Sequence, residues 1–415
     1  MSNERLTQRR WIVLIASCIV NLSIGALYSW SVFAGPMAEH LNAMNGTALT
    51  AADLAIVFSI GNGDGFLSMI AGGFLNEKLG TKWVVLLGVL MFGTGFIVCG
   101  LAHSVAMLIL GYGILSGLSM GFAYGLTISN SVKFFPDRKG LVGGLTTASY
   151  GIGSVLIPPI ANALNESVGV SKAFILLGLF TIVVGGIAAM FIVPCPADFR
   201  PTGWDPAGGK VSALSDRQYT WKEMLASPLF YVMIIMLFFG ASFGMMTISQ
   251  ASNISQNMMG MTASAAALVV SVLALFNTFG RIFCGYLSDR IGRVQTITGV
   301  YVLASVTMLL LLLSARIQST ALFVVCISLV GVSFGAFMGI YPGFTNEVFG
   351  QRHASINYGI MFIGFSAAGI VAPLIMKSFY NSVGSYGPAF LTAFVMAVIG
   401  LLLTAVFHVV RARSD

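Results

Sequence analysis

The chain has 415 residues, of which 57% are hydrophobic and 8% charged, and its formal net charge is +7. With a mean hydropathy of +0.91, a soluble core of this size would have too little polar surface to cover itself, which excludes an ordinary water-soluble enzyme. The basic residues are scattered over short loops rather than gathered on one face, which excludes a nucleic-acid footprint.

Apolar runs of about 20 residues cross a bilayer as helices, and about twelve follow one another along the chain. They fall near 11–35, 51–75, 82–102, 104–132, 139–165 and 171–194, then near 227–256, 263–287, 294–314, 319–348, 355–379 and 386–410. The first run is a full span with no small-residue cleavage site after a short core, so it is not a signal peptide. The long polar stretch from Pro194 to Lys222 separates six spans from six. The expected fold is an all-α membrane protein of twelve transmembrane helices in two six-helix bundles. Residues 1–194 form the N-terminal bundle, 195–222 a cytoplasmic linker and 223–415 the C-terminal bundle.

Orientation follows from the loops. Arg5, Arg9, Arg10, Lys133, Arg138, Arg290, Arg293 and most other basic residues fall on one side; only Lys172, Arg316 and Lys377 fall on the other. Basic loops stay in the cytoplasm, so both termini are expected inside, in a bacterial-type inner membrane. The cysteines and histidines have no metal-ligand spacing, no phosphate-binding glycine loop occurs, and Ser, His and Asp cannot be assembled on a common water-exposed face. Neither cofactor, metal nor enzymatic activity is expected.

The two halves echo each other. Gly73-Phe-Leu-Asn-Glu-Lys-Leu-Gly-Thr-Lys82 follows span two, and Gly285-Tyr-Leu-Ser-Asp-Arg-Ile-Gly-Arg293 follows span eight. Both place Gly, an acid, a base and Gly in one short loop, as a duplicated six-helix unit would. These loops resemble the G-x-x-x-D-R-x-G-R signature of the major facilitator superfamily, completely after span eight and in degenerate form after span two. The resemblance implies two bundles that rock about a site near the midplane. It also implies that Glu77, Lys78, Gly285, Asp289, Arg290, Gly292 and Arg293 latch the cytoplasmic side.

Tyr28-Ser-Trp-Ser-Val-Phe, Asn130-Ser-Val-Lys-Phe-Phe-Pro-Asp-Arg-Lys-Gly140 and Asn357-Tyr-Gly bring the chain close to the oxalate/formate exchangers and monocarboxylate porters of that superfamily. Arg281 lies in a span with almost no other charge, where an arginine costs roughly 2.5–3.5 kcal/mol on insertion scales. It can hold a carboxylate in a bidentate pair; the competing reading is a side chain snorkelling to the inner interface. Asn277, four residues upstream on the same face, stands where eukaryotic porters carry an aspartate. Phe365 stands where dicarboxylate exchangers place a lysine. One cation in the path suits one carboxylate, so a monoanion such as lactate, pyruvate or formate is expected rather than oxalate.

Tyr28, Tyr124, Tyr150 and Tyr341 are the candidate aromatic and hydroxyl wall. Phe334 and Phe362 replace aromatics of the oxalate branch, and Asn130 is read as a hydrogen bond between helices near the inner end of span four. Asp64, in Gly61-Asn-Gly-Asp-Gly65, is either the carboxylate that binds a coupled proton or a helix contact. Asp53 reads as a first-turn acid after Thr50. The expected function is secondary transport of a small monocarboxylate, proton-coupled, by one chain working as a monomer in the lipid bilayer. The alternatives are carboxylate exchange and a transporter-like carboxylate sensor, and the short cytoplasmic tails count against the sensor.

Overall fold

The computed structural model describes residues 3–51, 53–63, 65–196, 199–203 and 218–414, without the side chains of Tyr28, Asn62, Ala263, Arg413 and Ser414. Twelve helices among the described residues are long and apolar enough to cross a membrane. They are α1 (Asn3–Leu27), α2 (Ala55–Leu79), α3 (Thr81–Gly100), α4 (Val105–Phe134), α5 (Lys139–Val168) and α6 (Val170–Phe191). The second set is α7 (Pro228–Asn257), α8 (Ser264–Ile291), α9 (Arg293–Ile317), α10 (Thr320–Phe349), α11 (Ala354–Val383) and α12 (Gly387–Ala412).

From the third span on, each helix lies within a few residues of its expected position. The first differs more. Its helix starts at Asn3, and the apolar run passes through a 3-10 turn over Gly25–Ser29 into a further helix, Trp30–Asn45. None of the five cysteines is in a disulfide.

Local chemistry sets the ends. Ser104, Thr262 and Ser319 each accept a backbone N–H of their helix's first turn, satisfying donors that have no partner inside the helix. Before α2, the Thr50 hydroxyl and N–H both donate to the Asp53 carboxylate, at 2.7 and 2.8 Å. These bonds hold that carboxyl below its ordinary range. Gly80 and Gly292 each join two consecutive helices as a single residue, with φ of 81° and 101° and ψ of 154° and 152°. That region of backbone space is open essentially to glycine alone.

The chain divides into two compact units. The first takes in the described parts of Met1–Pro136 and Ser149–Trp204, together with Ala354–Ile360; the second holds Asp137–Ala148, the described parts of Asp205–His353, and Met361–Asp415. The start of α5 thus packs with the second unit, and the start of α11 with the first.

In the first unit an aromatic core is built from Phe33, Phe96, Tyr112 and Phe174. Phe33 stacks on Phe174 at 4.0 Å, and the Tyr112 hydroxyl donates to the Leu27 carbonyl. Helix α4 is pressed against α2, where a Cβ on Gly121 would strike the backbone of Ser68. The Ser68 hydroxyl accepts the Gly121 N–H at 3.1 Å. Small residues with one polar bond between backbones are how membrane helices associate without a hydrophobic driving force. Stretches of π-helix at Ile109–Ser116 and Met120–Gly125 interrupt the same glycine-rich α4.

In the second unit Tyr301 and Tyr341 both donate to carbonyls of α7, those of Met236 and Met233. Phe337 packs between their two rings. These paired phenol contacts tie α9 and α10 to α7.

Candidate functional site

Arg281 lies on α8, about 5 Å along the axis from the helix midpoint at 1.5 Å per residue. Its neighbours two positions away, Phe279 and Phe283, are half-exposed and stack on each other at 5.3 Å. Two positions along a helix is a turn of about 200°, so the side of α8 bearing those rings lies opposite Arg281. The arginine is only 8% exposed. Its Nη1 donates to the Thr147 carbonyl at 2.7 Å, and its Nε donates to Asn277 Oδ1 at 3.3 Å. A guanidinium has five N–H donors. Two are used among the described residues, and no carboxylate there pairs with it. The side chain runs inward to a backbone carbonyl of α5, not out along the lipid face as snorkelling requires.

Glycines hold Arg281 in place from two sides. A Cβ on Gly144 of α5 would strike the Arg281 carbonyl. On α10, Gly331, Gly335 and Gly339 repeat every four residues against α8, and a Cβ on Gly335 would come within 3.0 Å of the Arg281 nitrogen. The repeat from Gly331 to Gly343 is legible in the sequence as small residues on one helix face, a signal that the sequence analysis left unused. The consecutive residue Phe334 turns away into an apolar cluster with Ala241, Ala368, Phe238, Met245, Ile248 and Phe365. Phe362 completes it, 4.7 Å from Phe365. The span-eleven position at which a lysine would supply a second cation is therefore packed among aromatic rings.

The Gly285–Arg293 motif, which occupies the last turns of α8 and the first residue of α9, forms a second cluster. Asp289 caps the start of α5, accepting the Gly140 and Leu141 N–H groups at 2.8 Å each. It also pairs with Arg293 at 2.6 Å, and Arg293 reaches Glu347 at 3.3 Å. Lys139, 1% exposed, lies within electrostatic reach of all three. Gly285 touches Gly140, backbone to backbone. Arg290 is exposed, its guanidinium over the Tyr286 ring at 5.2 Å. The sequence reading passed over Glu347; a lone carboxylate in the last turn of an uncharged span was the available signal.

In the first unit, Tyr124 and Tyr150 meet with ring centroids 4.8 Å apart, both nearly fully buried. Tyr124 sits in the π-helical stretch Met120–Gly125, a geometry frequent at functional sites. The Tyr150 hydroxyl faces the Met120 sulfur at 3.9 Å. One turn on, the Thr127 hydroxyl donates to Asn21 of α1 at 2.8 Å. Asn130 donates to the Val193 carbonyl and accepts the Cys195 N–H, both at 2.9 Å, and so pins the end of α6.

Glu77 and Lys78 are exposed; Glu77 lies within electrostatic reach of Lys133. Tyr341 is fully buried and its hydroxyl is taken up by Met233 at 2.9 Å, which makes it a packing residue of α10 in this conformation. Asp64 lies outside the described residues, as does the side chain of Tyr28.

Residues 13–373 match the model of the Major Facilitator Superfamily. The chain is 30% identical to the MFS-type transporter YhjX of Escherichia coli K12, over 89% of this chain and 88% of that one. It is 28% identical to the oxalate:formate antiporter of Oxalobacter formigenes, over 88% and 84%. Identity with monocarboxylate transporter 12 of Rattus norvegicus is 25%, over 80% and 73%. Among solved structures, the transporter FucP in its outward conformation aligns with a TM-score of 0.72 at 13% identity, covering 96% of this chain and 99% of that one. The chain belongs to the Major Facilitator Superfamily, and within it to the transporters of the oxalate:formate antiporter and monocarboxylate transporter branch.

Proposed function

We propose that the chain imports a small monocarboxylate of the lactate or pyruvate kind together with a proton, by alternating access, with Arg281 holding the carboxylate. The observation that carries this reading is a buried guanidinium, locked between glycine faces, with three N–H donors unused among the described residues. A charge-assisted bond from those donors would offset the cost of burying the cation. Phe365 and its ring neighbours provide no second cation, which favours one carboxylate over two. Asn277 orients the guanidinium, and Tyr124 and Tyr150 offer ring surface and hydroxyls for a short acid's carbon skeleton. Asp289 and Arg293, with Glu77 and Lys78 in the other motif segment, serve gating.

Import of an anion against a negative-inside potential costs about 2.3 kcal/mol per charge per 100 mV, and a co-transported proton cancels that charge. Asp64 is the sequence's candidate carrier of that proton. The protein would act as a monomer in the inner membrane, with both termini in the cytoplasm. Exchange of one carboxylate for another is the second reading, favoured by the likeness to a relative named an oxalate:formate antiporter.

Labelled L-lactate uptake into proteoliposomes with an alkaline interior separates the two. Accumulation in empty vesicles that collapses with a protonophore supports symport. Uptake confined to vesicles preloaded with formate or lactate supports exchange, and no uptake in either overturns the substrate assignment.

A further inference from the structure

A groove of about 470 Å³ runs between α1 and α6, within the first unit. Ile12, Ala16 and Ile19 line it from α1, and Val184, Ile187 and Phe191 from α6. Ile12, Ile187 and Phe191 are each at least half exposed, so the groove opens on the outer face of the bundle, where a span meets hydrocarbon. Its deep end closes where the two helices meet, the Thr181 hydroxyl standing 3.5 Å from the Ser23 carbonyl.

The other end is basic. At 100° per residue, Arg5, Arg9, Ile12, Ala16 and Ile19 fall within about 40° of one line along α1. Two guanidinium groups therefore continue, beyond the last turn of the groove, the helix face that forms its floor. Arg9 stands about 4.5 Å along the axis from Ile12, and Arg5 about 10 Å. Trp11 is 42% exposed at the junction, the depth at which tryptophan marks a membrane interface. The segment 199–203 is tied to the same end of α1, the Thr202 N–H donating to the Thr7 hydroxyl at 3.0 Å. That bond brings exposed Arg200 to the basic end.

We propose that this groove binds one anionic phospholipid, an acyl chain lying along Ile12, Ala16 and Ile19 and the phosphate held by Arg5 and Arg9. The apolar length from Ile12 to Ile19, about 10 Å, suits the upper part of an acyl chain. Basic residues directly above such a slot are the arrangement that recognises anionic headgroups. A zwitterionic lipid fills the slot equally well and gains less from the arginines, so the preference is for charge. Helix α6 carries its π-helical turn, Thr181–Gly185, at the closed end of the groove. The lipid would therefore act as a wedge between α1 and α6.

The test is native mass spectrometry of the full-length purified protein. Dioleoyl phosphatidylglycerol and dioleoyl phosphatidylethanolamine compete at equal concentration. One retained phosphatidylglycerol, in at least fivefold excess over phosphatidylethanolamine, is expected. The double variant Arg5→Gln with Arg9→Gln should abolish that excess. Ile187→Trp, which fills the groove from an exposed position, should remove the bound lipid while leaving the melting temperature unchanged. Lys82→Gln, which removes a base from the first turn of α3, should alter neither. Equal retention of the two lipids, or undiminished binding by the Ile187→Trp protein, would overturn the proposal.

Discussion

The motif segments at the α2–α3 and α8–α9 junctions share a backbone and differ in charge chemistry. In both, the second glycine takes the same conformation, Gly80 at φ 81°, ψ 154° and Gly292 at φ 101°, ψ 152°. In both, the first glycine lies hard against the start of a helix, Gly73 on Ile356 of α11 and Gly285 on Gly140 of α5. The acids then part company. Asp289 is bound by two backbone N–H groups and a buried arginine. Glu77 is exposed, and buried Thr81 stands where the second segment has Arg293. The two segments share the turn, which only glycine can make, while the ionic cluster of Asp289, Arg293 and Glu347 is built around the second.

The largest effect should come from Asp289→Ala. It leaves the Arg293 guanidinium with Glu347 as its one carboxylate among the described residues, beside the Ser288 hydroxyl, and two helix-end donors bare, a loss of about 3 kcal/mol by the scale for broken buried pairs. Thermal unfolding of the purified protein should show it, whereas Glu77→Ala should cost less than about 1 kcal/mol. Comparable losses in the two variants would break the distinction between the copies. Next in size, Gly80→Ala and Gly292→Ala should destabilise alike, by about 1–3 kcal/mol each, because both need a glycine-only conformation. A tolerated Gly80→Ala would show that only one turn is constrained. The smallest effects belong to the exposed bases. Arg290→Ala should forfeit no more than about 1 kcal/mol, the range of an exposed cation–π contact, and Lys78→Ala should be close to neutral in the same unfolding assay.

The spans were legible because about 20 apolar residues leave a chain few options in a bilayer. The first span was misjudged at its ends: the helix begins eight residues before the apolar run starts, and hydropathy does not register the 3-10 turn at Gly25–Ser29. Arg281 stood out as a charge in an apolar span. Its Thr147 partner did not, since hydrogen bonds to a backbone carbonyl leave no residue-type signature. The same holds for Asp289: its acid character was readable, but not that it would cap α5 at Gly140 and Leu141. Tyr341 was readable as an aromatic inside a span, but not that its hydroxyl would donate to the Met233 carbonyl of α7. The glycine stripe of α10 was readable and bears on the site more directly than the one in α4, because it fixes how closely α10 approaches Arg281.

The most direct test of the carboxylate site is the Arg281→Lys variant in the proteoliposome uptake assay, compared with the parent at equal incorporation and equal melting temperature. Lysine keeps the charge and loses the planar fork. Losing one charge-assisted bond is worth about 1.5–3 kcal/mol, and each 1.4 kcal/mol is tenfold in affinity. Transport of labelled lactate should therefore fall at least tenfold, with a matching rise in the concentration needed for half-maximal uptake. Uptake by the Arg281→Lys protein equal to that of the parent, at every substrate concentration, would contradict the assignment of Arg281 as the carboxylate's binding partner.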